Sequence, residues 1–314
     1  MVKIGSTTSN FLTLNIGVPQ GSVLGPLLFL LYINDMPKST KFYVKLFADD
    51  TFLSYSSDNY EDLQRKVNEE LININNWLKN NKLTLNISKT KYMIITNRKK
   101  PPHSEFKIKV ANTEIKKCIF YKYLGVLLDE TLSWKPHIDY ICRKISRMCG
   151  IFSKLRYATN FPLLIQVYHA LVASHLQYCN LVWGNASETI LSPLKKMQNR
   201  IIRIISFSPY NCHNVHELYE DLQLLNLDQI HKMAKAKFMF KYENGKLPSN
   251  FDNYLVKVSD VHSYNLRSTS AGKYMKVWGR TKHSLKILQY DAVKVWENVP
   301  SEIKENRSII KQVL

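Results

Sequence analysis

The sequence predicts an α+β fold, an antiparallel sheet with packed helices followed by a helical region. Three observations point there. Short β-rich apolar runs and helix-period stripes interleave over the first part of the chain, whereas helix periods dominate after Trp134. At 314 residues and 45% apolar content, the chain can bury one large or two modest cores. No internal repeat or low-complexity tract suggests a solenoid or a linker.

The elements follow in order. Phe11 to Ile16 alternates as a short strand. Ser22 can cap a helix through Leu27, Leu28, Leu31 and Tyr32 to about Asp35, ahead of Pro37. Residues 42–56 form a hairpin broken at Asp49-Asp50. Asp58 and Glu61 make a capping-box pattern. It opens a helix with Leu63, Val67, Leu71, Ile74 and Leu78 on one stripe, ended by Asn80-Asn81. Lys91 to Thr96, Phe106 to Val110, Ile115 to Phe120 and Tyr121 to Leu128 are expected strands, with a basic turn at Arg98 to Pro102. Beyond a boundary near 130, helices are expected from Lys135 to Arg156, Pro162 to Tyr178, Pro193 to Ser206 and Asp228 to Glu243, the last stopped by Gly245 and Pro248. From about 250 the chain reads as irregular, with a strand and short helical pieces.

Charge narrows the function. Lys and Arg number 44 against 25 Asp and Glu, a net charge of +19. A polyanionic partner explains this economically, and nucleic acid is the commonest. An anionic membrane surface is the rival, yet the longest apolar run, Val23 to Ile33, is too short to span a bilayer. The first residues lack the apolar stretch of a secretory signal, and five Cys without paired spacing argue for a reducing, intracellular setting. No cysteine pair has the Cys-x₂-Cys spacing of a zinc site; Cys212-His213 with His216 could ligate a metal, whereas Cys142 and Cys149 lie near the apolar face of a helix and read as core.

The chemistry centres on Phe47-Ala48-Asp49-Asp50, where an apolar β run breaks on adjacent carboxylates. A hairpin tip carrying them offers hard oxygen ligands on a rigid support, which suits Mg²⁺ and phosphate chemistry. Taken alone it is also an ordinary solvated turn. Upstream stands Gly17-Val18-Pro19-Gln20-Gly21-Ser22, followed by an apolar helix. This order of motifs resembles the reverse transcriptases of non-LTR retrotransposons, most closely the jockey-like group. The resemblance covers essentially the whole chain.

It implies an RNA-directed DNA polymerase that copies an RNA template from a DNA primer with dNTPs and Mg²⁺, or Mn²⁺ as a substitute. Its fold would be a partial palm (1–130), a helical thumb (131–160) and a mainly helical C-terminal region (161–314). Asp49 and Asp50 would be catalytic metal ligands, and small Ala48 would let a primer end approach. Pro19, Gln20 and Gly21 would border nucleotide and template. Leu83 to Lys91 is similar to a further family motif whose lysine protonates the leaving pyrophosphate; Lys89 is the candidate, and a solvated surface lysine is the bland alternative. Tyr123 to Asp129 resembles the hairpin that grips the primer, through Leu124 and Gly125. Ala173 to Tyr178, Val182-Trp183-Gly184, His262 to Ser268 (with Tyr264 and Arg267) and Trp296 to Lys304 resemble later family segments of obscure role. By resemblance the location is nuclear and cytoplasmic, without a membrane.

The helix from Lys135 to Arg156 puts Ile138, Ile141, Ile145, Met148, Phe152 and Leu155 on one face. At roughly 100° per residue, Arg143, Arg147 and Lys154 fall opposite, where they could track a nucleic-acid backbone. Lys195, Lys196, Arg200 and Arg203 form a second basic set. The family's earlier aspartate-bearing strand and fingers have no counterpart before Gly17, and Asp35 cannot substitute. The expectation is therefore an N-terminally truncated polymerase, inactive alone. The alternative is a non-catalytic nucleic-acid-binding remnant or a repurposed retroelement protein.

Overall fold

A computed structural model describes residues 3–10, 17–18, 21–96, 106–209, 214–261, 273–276 and 287–305. Contacts divide the chain into two compact units, 1–121 and 122–314.

In the first unit, β1 (Lys3–Ile4) pairs with β2 (Thr7–Thr8). α1 (Gly25–Ile33) has Leu24 at its N-cap position, with no capping side chain. The expected cap, Ser22, stands two residues earlier, where its Oγ accepts from Gly25 N–H (3.1 Å), and the helix ends two residues before the expected Asp35. Apolar residues surround α1, and Leu24, Leu27, Leu30 and Leu31 are all exposed. A 3₁₀ turn, Met36–Ser39, leads into β3 (Tyr43–Phe47) and β4 (Asp50–Ser54). The long helix α2 (Tyr60–Asn80) carries the predicted stripe, with Leu71, Ile74, Trp77 and Leu78 buried. Its cap is Asn59, which accepts from Glu61 N–H (3.1 Å), not the expected Asp58: the extended residue directly before the helix does the capping.

The small β region is more broken than its sequence pattern suggests. β5 (Lys91–Tyr92) lies parallel to β8 (Lys116–Lys117), and β6 (Lys109–Val110) pairs with β7 (Thr113–Glu114). Among the described residues the sheets are all two-stranded, so the single antiparallel sheet expected from sequence is replaced by separate two-stranded pieces. Side chains of α2 supply some of the missing pairing. Lys107 N–H donates to Gln64 Oε1 (3.0 Å) and Lys109 N–H to Asn68 Oδ1 (2.9 Å). Buried Glu70 accepts from Thr40 Oγ1 (2.7 Å) and Lys41 N–H (2.8 Å), and these bonds, led by the Lys41 amide, hold its pKa below the usual carboxylate value.

β9 (Phe120–Tyr123) pairs with β10 (Val126–Asp129), and the division between the units falls within β9. The second unit is helical. α3 (Lys135–Ala158) buries the predicted face through Ile138, Ile141, Ile145 and Phe152. A continuous helical run follows as α4 (Phe161–Tyr168), a π-helical stretch (His169–Ala173) and α5 (Ser174–Gln177). α6 (Asn180–Trp183) is one turn long. α7 (Glu188–Ile205) begins well before Pro193, which sits inside it; Pro193 was expected to start it. α8 (Val215–Asp221) has no counterpart in the sequence reading, and α9 (Leu227–Glu243) opens on an Asn226–Gln229 capping box. One core unites α3, α4, α7 and the start of α9 around Trp183, Phe152 and Tyr168. A second packs the end of α9 against a helix at Leu288–Glu297, joined by a Lys235–Asp291 ion pair.

His231 of α9 ties this unit together. Its Nδ1 is 2.7 Å from Asn180 Oδ1 and its Nε2 is 2.7 Å from the Asn185 carboxamide. Burial first, then Lys235, lowers its pKa to about 4, and burial alone does the same for His137 of α3. Both rings have an ordinary value of 6.5, so the unfolded chain binds protons there before the folded chain does. Their contribution is complete above about pH 6.5 and is lost as pH falls toward 4. The melting temperature should therefore drop by several degrees between pH 7 and 5, and scanning calorimetry across that range checks it. A flat profile would show these rings titrating alike in both states.

Candidate active site and nucleic-acid surface

The β3–β4 register pairs Phe47 with Asp50, so Ala48 and Asp49 form a two-residue turn. Ala48 takes φ 49°, the left-handed sign that tight hairpin turns need at their first position. Asp49 therefore sits in the turn and Asp50 is the first residue of β4. Both are exposed, and among the described residues neither is in an ion pair. Two adjacent, uncommitted carboxylates fit as part of a divalent-cation site. Among the described residues no third Asp, Glu, His or Cys joins them as a ligand cluster.

Strand alternation sorts the hairpin's faces. Val44, Leu46 and Leu53 pack on the core, and the opposite face presents Tyr43, Lys45, Phe47, Asp50 and Phe52. Tyr43 and Phe47 are 58% and 60% exposed, which marks an aromatic surface beside the carboxylates rather than core. Lys45 Nζ lies 4.8 Å from the centre of the Tyr43 ring. Of this face the sequence pointed to Asp50 alone; Tyr43, Lys45, Phe47 and Phe52 were missed, and their signal is the period-two alternation of Tyr43, Lys45 and Phe47.

Gly21 has φ 86° and open space where a Cβ would stand, so its role in this structure is conformational. Pro19 and Gln20 lie outside the described residues, as do Cys212, His213, Tyr264 and Arg267. Lys89 sits exposed on the Asn86–Thr90 turn, its N–H bonded to Asn86 Oδ1 (3.2 Å). Among the described residues no ion pair joins Lys89 to Asp49 or Asp50. The structure thus brings Ala48, Asp49 and Asp50 together and leaves Lys89 on a separate turn.

In the second unit, Leu124 and Gly125 form the turn between β9 and β10, with φ 45° and 85°. The hairpin is fastened to α3 at its base. Asp129 is buried and accepts from Ser133 N–H (3.0 Å), Trp134 N–H (2.9 Å) and the Thr131 hydroxyl (2.5 Å). Burial pushes the Asp129 pKa up, but these donors outweigh it and hold it below the ordinary carboxylate value. Leu127 N–H donates to His137 Nδ1 (3.3 Å) on the first turn of α3.

On α3, Arg143, Arg147 and Lys154 are all exposed, and among the described residues none is in an ion pair. Where α3 packs against α7, a surface cleft of about 400 Å³ is lined by Cys142, Arg143, Ser146, Pro193, Lys196 and Met197. Lys196 and Arg200 are exposed on α7 and continue the basic surface. Lys195 does not: its ammonium is held by Glu188 (2.9 Å) and Asp228 (2.8 Å). The Cys142 thiol is pushed up to about 11 by burial, as suits a packing residue rather than a metal ligand.

Residues 2–128 match the family model described as reverse transcriptase (RNA-dependent DNA polymerase). The chain is 29% identical over 221 residues to the probable RNA-directed DNA polymerase from transposon BS of Drosophila melanogaster, covering 67% of this chain and 24% of that protein. Against the probable RNA-directed DNA polymerase from transposon X-element of the same fly, identity is 27% over 214 residues, 65% of this chain and 23% of the relative. Against the RNA-directed DNA polymerase from mobile element jockey of Drosophila funebris it is 26% over 231 residues, 70% of this chain and 25% of the relative. The chain thus spans about a quarter of the length of these curated relatives. No solved structure matches it. Over part of its length, the chain carries a reverse-transcriptase-like domain related to the polymerases of non-LTR retrotransposons. Among the described residues no helix is long and apolar enough to cross a membrane.

Proposed function

We propose that this chain is the part of a non-LTR retroelement's RNA-directed DNA polymerase that carries the Asp49-Asp50 hairpin, with residues 1–130 as partial palm, 131–160 as thumb and 161–314 as C-terminal region. One observation carries the reading. Two exposed carboxylates stand at the turn of a hairpin inside the stretch matched as reverse transcriptase. Asp49 and Asp50 would hold Mg²⁺ (or Mn²⁺), which when bound neutralises phosphate charge and lowers the pKa of a primer 3′-hydroxyl. Ala48 leaves room for the primer end. Phe47 and Phe52 offer rings on which a base can stack. Lys89 would stabilise charge on the leaving pyrophosphate, Pro19, Gln20 and Gly21 would border template and incoming dNTP, and Leu124 with Gly125 would meet the primer strand. Arg143, Arg147 and Lys154 would bind phosphates without reading sequence.

Two carboxylates leave a two-ion site short of bridging ligands, so the chain alone is expected to bind an RNA–DNA hybrid but extend it poorly. Primer extension on poly(rA)/oligo(dT) tests this. Robust synthesis that vanishes in Asp49→Ala would overturn the expected inactivity while supporting the catalytic role. Failure to bind the hybrid would overturn the polymerase reading. A second reading, a nucleic-acid-binding module without catalysis, is supported by the basic surface of α3 and α7, which needs no carboxylate. Under it the carboxylates are dispensable, so Asp49→Ala and Asp50→Ala leave hybrid binding intact.

A further inference from the structure

The turn Leu124-Gly125 asks for positive φ at both residues, and leucine resists that conformation. Such a turn persists only where its surroundings fix it. The Tyr178 hydroxyl donates to the Leu124 carbonyl (2.6 Å) from a residue far along the chain. A Cβ on Gly125 would lie 3.2 Å from Tyr178 Cε1, so the glycine serves the tyrosine ring as well as the turn.

Tyr178 is itself held firmly. It ends the α4–α5 helical run, where its N–H donates to the Ser174 carbonyl (3.1 Å) and its own carbonyl accepts from Trp183 Nε1 (2.8 Å). Trp183 is wholly buried. The chain then turns sharply through Cys179 at φ 50°. Yet the Tyr178 ring is 52% exposed, so it adds little to the core. An anchored backbone, an exposed ring and a bond to a strained turn describe a strut.

We infer that Tyr178 is a positioning residue: it fixes the Leu124-Gly125 turn in the shape that meets a nucleic-acid strand, an inference resting on the proposed primer contact of that turn. The otherwise unexplained Ala173–Tyr178 segment thereby gains a role, setting the hairpin's tip while Asp129 and His137 set its base.

The test uses the 314-residue chain and an RNA–DNA hybrid whose primer ends in photoreactive thiothymidine. The unaltered chain is expected to crosslink within the β9–β10 hairpin. Tyr178→Phe keeps the ring and loses only the hydroxyl. It should lower the melting temperature by no more than a few degrees and leave total hybrid binding within about two-fold, while cutting the hairpin's share of crosslinks about five-fold. Adding Leu124→Asn, which tolerates positive φ, should restore most of that share. Equal crosslinking in the Phe variant would overturn the strut and leave the primer reading standing. A large fall in its melting temperature would overturn it too, by assigning Tyr178 to the fold. Hybrid bound but never crosslinked to the hairpin in the unaltered chain would overturn the primer reading and the strut with it.

Discussion

Gly184→Ala should destabilise the second unit by about 2–4 kcal/mol, lowering its melting temperature by several degrees. The expectation runs against propensity. Gly184 has φ −65°, ordinary right-handed backbone, where alanine normally gains roughly 0.5–1 kcal/mol over glycine. Space decides the sign. A methyl group there would stand 2.6 Å from the Asn180 carbonyl oxygen and 2.6 Å from His231 Cε1. The carbonyl is backbone and cannot swing aside. The imidazole can move only by breaking its bonds to Asn180 and Asn185, and the Asn180 amide is committed to the Leu176 carbonyl (2.9 Å). Gly150→Ala supplies the internal control. Gly150 lies within α3 with nothing inside 4 Å of its missing Cβ, so alanine should stabilise by about 0.5–1 kcal/mol. Urea melts of both variants check the pair; two shifts of the same sign would mean that Gly184 is not a steric contact.

The helices were readable because their signal is local. α2 and α3 carry long apolar stripes, α2 and α9 carry capping side chains, and the observed ends of all three fall within a few residues of the pattern. The errors have physical causes. Asp58 and Asn59 are both good caps, and backbone geometry rather than composition selected Asn59. Pro193 looked like a helix start because proline is favoured there, yet Glu188 to Ser192 already wind ahead of it. α8 is too short to show a period. The β region failed differently. β5 pairs with β8 across a gap that no local pattern encodes, and α2 side chains take hydrogen bonds that a sheet would otherwise supply.

The site divides in the same way. The exposed turn that presents Asp49 and Asp50 was legible because a tight turn between apolar strands concentrates its information in a few neighbouring residues. Tyr178 was not, because its partner Leu124 is 54 positions away and the contact is a backbone carbonyl that any residue would offer. Lys195 shows the opposite failure: it was counted with the basic set of a helix starting at Pro193, but Glu188, in the first turn that this start leaves out, and Asp228 of α9 hold its ammonium.

That last distinction makes the basic surface testable. Arg143→Ala with Arg147→Ala should weaken binding to an RNA–DNA hybrid about ten- to hundred-fold at 0.1 M salt. The slope of log affinity against log salt should fall by about 1.8 if each guanidinium releases the counterion of one duplex phosphate. Lys196→Ala with Arg200→Ala, across the α3–α7 cleft, should act in the same direction, because Lys196 shares the cleft lining with Arg143. Lys195→Ala should leave the slope unchanged, since its charge is already spent on two carboxylates. Net charge alone makes a different forecast: removing any lysine from a chain of +19 would then matter about equally. Salt titrations of these variants by fluorescence anisotropy separate the two. An unchanged slope in the Arg143/Arg147 pair would remove α3 from the interface, and an equal loss in Lys195→Ala would reduce the surface to diffuse attraction.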